Sequence, residues 1–257
     1  MIPVASESIK LTASVEVRIK HPFSYDHLRS AIFFAKNARE LEKKYENNFD
    51  SLPPEEQTKI REEYFALTTN AIISSFAFAE AHINEFYDNV IQYKSNQSPS
   101  KTIMDKLYDK NSGDFTNIQS LLSQKITGKY KPSSLNKYKF ALDSFNEDPF
   151  ETGKNPYLDF DLVREVRNSF VHYNPELQPA QIEGMENEKA TFEGQLQGKF
   201  DLNPFFKNTG NPFYPYKCLS YGSAKWAITS CYEFVKDFYS KFDLESRYGD
   251  IIKRLDE

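Results

Sequence analysis

Arg167 and His172 stand five residues apart in the run Arg-Asn-Ser-Phe-Val-His, and together they offer a permanent cation and a proton carrier. A guanidinium keeps its charge and presents a fixed fork of donors matched to phosphate or carboxylate oxygens. An imidazole is the side chain best suited to move a proton near neutral pH. Asn168 precedes His172 by one helical turn, the spacing at which side chains on one helix face meet, so it is placed to orient the ring. Such a set suits transfer chemistry at a phosphate, with Arg167 steadying negative charge and His172 acting as general acid or base.

The element that must position them runs from Pro156 to Asn174. At about 100° per residue, Leu162, Val163, Val166, Phe170 and Val171 share one broad arc, and Arg167 falls inside it. A cation among apolar neighbours needs a partner or a ligand-filled cleft. Pro175 pushes Asn174 out of helical geometry, so the helix must stop soon after His172. On an ideal helix Arg167 and His172 are about 140° apart. They converge only if the last turn loosens, if the arginine bends around, or if they meet across two subunits. The regular helix is therefore expected to end within two residues of His172.

Upstream, Pro53-Pro54 opens the longest amphipathic stretch. Ile60, Tyr64, Leu67, Ala71, Ile72, Phe76, Ala79, Ile83, Phe86, Tyr87 and Val90 keep one slowly rotating apolar stripe. Glu80 lies at its edge with Asn84 one turn on. It reads either as a rim carboxylate in water or as the acceptor for an inward Arg167. His82, on the other edge, reads as a half-buried rim residue, and His21 and His27 as surface or capping residues.

Elsewhere the chain reads as mainly α. Residues 8–20 alternate apolar and polar with period two, which predicts a short N-terminal strand. Ser24 and Asp26 mark the start of a helix running to about Asn47. Short helices are expected near 101–110 and 135–145, and a last helix near 223–242. Residues 173–217 hold five prolines and read as a long irregular insertion, a cover or a poorly ordered segment, with a strand pair near 191–202. The segment 115–142 contains no acidic residue but carries Lys125, Lys129, Lys131, Lys137 and Lys139 with Tyr130 and Tyr138. Lysines can hold phosphates while rings stack on unpaired bases; the plainer alternative is a solvated loop between helices.

Composition narrows the class. The 257 residues, 39% hydrophobic and 27% charged, suit one helical domain spanning 1–257 rather than a disordered tail. A net charge of −5 argues against coating nucleic acid with the whole surface, while leaving room for a local basic cleft. Cys218 and Cys231 form no disulfide framework and no metal-ligand pattern. With no secretory pattern or apolar run of spanning length, a soluble cytoplasmic protein without metal or cofactor is expected.

The run from Arg167 to His172 resembles the signature of the HEPN superfamily: Arg, a polar residue, then His after four to six intervening residues. Residues 74–86, Ser-Ser-Phe-Ala-Phe-Ala-Glu-Ala-His-Ile-Asn-Glu-Phe, are similar to the helix that precedes the signature in many members. The likeness covers roughly residues 24–94 and 155–243. It implies a helical bundle that forms a homodimer, with two signatures meeting in one composite cleft. It also implies a metal-independent endoribonuclease of a toxin or antiviral defence system, with an antitoxin or defence protein as a further partner. RNA carries its own nucleophile, so attack by the 2′-hydroxyl would give a 2′,3′-cyclic phosphate and a 5′-hydroxyl. Two further readings stay open: a non-catalytic dimeric adaptor binding RNA or protein, and a toxin whose Tyr173 receives a nucleotidyl group.

Overall fold

The computed structural model describes residues 21–94, 103–128, 132–172 and 192–257. The expected strand at 8–20, together with Lys129, Tyr130, Lys131 and Tyr173, lies outside them. The described residues are mainly helical and contain no strand. None of their helices is long and apolar enough to cross a membrane.

Helix α1 (Phe23–Tyr45) pairs along α2 (Pro54–Gln92), and α8 (Tyr221–Lys241) lies against both. Between them in the chain come α3 (Ile103–Asn111), α4 (Phe115–Thr127), α5 (Ser134–Ser144), α6 (Tyr157–Val171) and α7 (Phe192–Leu196). The short α9 (Gly249–Ile252) follows α8. Pro54 opens α2 at a position where its missing N–H costs nothing, and Glu55 and Glu56 occupy the first turn. At 39 residues α2 is about 58 Å long, so α1, α4, α5, α6 and α8 all find room along it.

The core is aromatic. Phe160 of α6 stacks on Phe234 of α8 with ring centroids 3.9 Å apart and planes 4° from parallel. Phe150 stacks on the same Phe234 at 4.7 Å, and Tyr138 meets it edge-on at 4.9 Å. A smaller cluster of Phe49, Tyr64, Phe205 and Phe206 packs beside α1 and the start of α2.

Four expectations are corrected. Ser24 does not cap α1, which begins at Phe23 without a side-chain cap; its backbone N–H and hydroxyl both donate to Glu85 instead. The described residues before the expected helix near 135–145, which is found as α5, are not an open loop, because α4 occupies Phe115–Thr127 and buries Phe115, Ile118 and Leu122. The strand pair near 191–202 does not form; Phe192–Leu196 is helical. The rest of the insertion as far as it is described packs inward through Asn203, Phe205, Phe206 and Tyr214, which are buried. Gly222 explains part of this, since a Cβ there would sit 3.0 Å from the Asp201 backbone nitrogen. The insertion can thus lie against the first turn of α8, where Ser220 donates to the Asp201 carbonyl.

The fourth correction is His82, which is 1% exposed rather than half-buried, because α5 and α8 cover it from both sides. Tyr138 donates its single hydroxyl proton to the Ala79 carbonyl at 2.8 Å. The 2.7 Å contact between His82 Nδ1 and the same hydroxyl also needs a proton, so Nδ1 supplies it. The ring is neutral, and burial, with the Arg247 charge nearby, holds its pKa down to about 3.

Two predictions follow from this core. Phe234→Ala is expected to lower the unfolding free energy by about 3–5 kcal/mol in urea titration. The second concerns pH. The folded His82 stays neutral where an unfolded histidine, titrating near 6.5, takes up a proton, so stability is full above that value and falls with acidification. Between pH 7 and 5 the wild type is expected to lose about 2 kcal/mol more than His82→Gln. Equal losses would mean that the ring is protonated in the native state.

Candidate functional site

Helix α6 carries the Arg–His pair because its apolar face is held by the aromatic core: Leu162, Val163 and Val166 are buried. The arc does not persist to its end, since Phe170 is half-buried and Val171 is 48% exposed. The last turn is anchored differently. The Ser169 hydroxyl meets the Tyr214 hydroxyl, and Phe170 stacks on the Tyr214 ring at 6.0 Å. Tyr214 was not foreseen, because nothing in its proline-rich surroundings marks it.

Arg167 does face inward and is 24% exposed. Its guanidinium carbon lies 5.3 Å from the centre of the Phe76 ring. Nη1 donates to Asn168 Oδ1 at 3.0 Å, and Nη2 stands 3.9 Å from Glu80 Oε2. The partner proposed from sequence is therefore the partner found, although as a loose ion pair and not a buried two-pronged one. Glu80 is 41% exposed and is fixed from the other side by the Ser134 hydroxyl, 2.9 Å from Oε1. Ser134, at the first turn of α5, is a second residue that sequence reasoning passed over.

His172 caps α6. Its φ of −118° and ψ of 41° have left helical values, so the regular helix ends where expected. Its N–H still donates to the Asn168 carbonyl at 2.8 Å. The side chain is exposed and, among the described residues, makes no hydrogen bond. Asn168 consequently binds Arg167 and not the imidazole, which corrects the orienting role expected of it. Within one chain the cation is assembled and the proton carrier stands apart.

Of the expected RNA-binding set, Lys137 of α5 reaches this face of α2. Its ammonium donates to Asn84 Oδ1 at 2.7 Å, one turn from Glu80. Lys125 sits over the Phe140 ring and Lys139 over the Tyr157 ring, at 4.7 and 5.0 Å. Tyr138 is fully buried among Phe234, Phe238 and His82, so it is a core residue and cannot stack on a base.

No family model, curated protein or solved structure matches this chain.

An ion pair this long and this exposed contributes little. Glu80→Gln is expected to change the unfolding free energy by less than about 1 kcal/mol; a loss of several would require a tighter Arg167–Glu80 pair than the one described.

Proposed function

We propose that the protein is a metal-independent endoribonuclease of the HEPN type, acting as a homodimer in a toxin or antiviral defence system. The observation that carries this reading is the contrast between the two signature residues. Arg167 is half-buried and held by Phe76, Asn168 and Glu80, whereas His172 stands exposed at the helix end and makes no hydrogen bond among the described residues. A fixed cation with an exposed imidazole standing apart from it on the same helix end suits a site completed by a second copy and a ribose-phosphate.

In the proposed cleft one His172 takes the 2′-hydroxyl proton, and the oxygen attacks the adjacent phosphorus. The phosphorane charge is steadied by Arg167, and the His172 of the partner subunit protonates the departing 5′-oxygen. The products are a 2′,3′-cyclic phosphate and a 5′-hydroxyl. Asn168 and Glu80 hold the guanidinium, and Asn84 with Lys137 flanks them where the strand would continue.

A second reading has its own support. All three contacts of Arg167 are internal and none reaches His172, as in a non-catalytic dimeric adaptor.

End-labelled RNA incubated with the protein and a chelator separates the two. Cleavage leaving cyclic-phosphate ends, reduced about 100-fold or more in both Arg167→Ala and His172→Ala, is the expected result, with a dimer in sedimentation. No cleavage by the wild type, or undiminished cleavage by either variant, would overturn the nuclease in favour of the adaptor.

A further inference from the structure

A cavity of about 310 Å³ opens beside α2, between α3, α8 and the segment leading into α9. Small-ligand sites begin at roughly this size, about 300 Å³. On α2 it is lined by His82, Phe86 and Asn89. At about 100° per residue these lie on the side of the helix opposite Glu80 and Asn84, so the cavity is separate from the Arg167 face.

Its polar groups are mixed: Arg247 only donates, the Asn89 amide and Tyr239 hydroxyl can each donate, and His82 Nε2, buried and without a partner among the described residues, is an acceptor in the tautomer assigned above. Arg247 uses Nη2 to bind Glu85 at 2.7 Å and directs Nε and Nη2 at the Tyr248 hydroxyl. Its guanidinium lies 5.1 Å from the ring centres of both Tyr25 and Tyr248. The remaining nitrogen, Nη1, has no partner among the described residues, and neither do the Asn89 amide or the Tyr239 hydroxyl; all three residues line the cavity. Among the described residues no carboxylate lines it. Glu85, the nearest in this network, is already engaged by the Ser24 N–H, the Ser24 hydroxyl and Arg247. Phe86, Ile103 and Met104 supply an apolar wall.

We propose that this cavity binds a small monocarboxylate with a ring-sized apolar body, its carboxylate taken by Arg247 Nη1, Tyr239 and Asn89 and its body by Phe86 and Met104. Hydrogen-bond donors, rather than net charge, set the class. Arg247 is the one cation lining the cavity among the described residues, Glu85 already pairs with it at 2.7 Å and the neutral His82 adds none, so one carboxylate held by direct hydrogen bonds is accommodated and a second negative charge is not. Clamped between two rings and a carboxylate, the guanidinium is ordered before any ligand arrives, which lowers the entropic cost of binding.

Phenylacetate and 3-phenylpropionate are suitable probes, with 2-phenylethylamine as the control of opposite charge. Titrated into the full chain by calorimetry and saturation-transfer NMR, the carboxylates are expected to bind with Kd of about 1 mM or tighter and the amine not to bind. Tyr239→Phe and Asn89→Leu should each weaken binding about tenfold, and Met104→Trp, which fills the space, should abolish it. Arg247 is left intact because it ties the core together. Absence of carboxylate binding up to about 10 mM, equal binding of the amine, or affinity unchanged in Tyr239→Phe and Asn89→Leu would overturn the proposal. The last two variants decide the matter even if the tryptophan variant fails to fold.

Discussion

The stack of Phe160 on Phe234 is the contact on which the placing of α6 depends. Two rings 3.9 Å apart and almost parallel leave no freedom for α6 to roll on α8. With that rotation set, Arg167, two turns further along α6, can face only Phe76 and the edge of α2. The aromatic neighbours Phe150 and Tyr138 close round the same ring, so the register of α5 and α6 is set at one place. The candidate site is thus held by packing from behind, while its own polar contacts remain few and partly in water.

A second constraint is polar and runs through the centre. Ala79, Tyr138 and His82 form a chain with one proton in each contact, joining α2 to α5 where an unpaired hydroxyl would be costly. Glu85 does comparable work at the other edge of α2, gathering Ser24 from α1 and Arg247 from the chain before α9. One long helix therefore carries two different surfaces. One side presents Glu80 and Asn84 to the Arg167 face, and the other presents His82, Phe86 and Asn89 to a partly polar cavity.

Much of the helical framework was legible in the residues. The α2 stripe from Ile60 to Val90, the break before His172 and the inward turn of Arg167 all follow from a period of 3.6 and from the restriction that proline places on its predecessor. Glu80 was also legible as the acceptor for Arg167, because a half-buried guanidinium needs one. The lysine segment was not: in the helix Phe115–Thr127 only Phe115, Ile118 and Leu122 are buried, and so short an apolar stripe among polar residues is a weak periodic signal. Tyr138, read as a ring open to bases, and His82, read as half-buried, are both core residues, and the sequence hides this for a related reason. Polar-tipped aromatic side chains look alike in sequence whether their tips meet water or each other.

By itself the sequence determined the longer helices, the end of α6 and the presence of a cation on an otherwise apolar arc, since each depends on residues within a few turns of one another. Only the tertiary structure decided which polar groups meet. Ser24 goes to Glu85 rather than capping its own helix, Asn168 binds Arg167 rather than His172, and Ser134 and Lys137 reach the Glu80–Asn84 edge. Most of these partners lie more than fifty residues apart. Their pairing is set by which helix faces the aromatic core presses together, and local propensity carries no information about that.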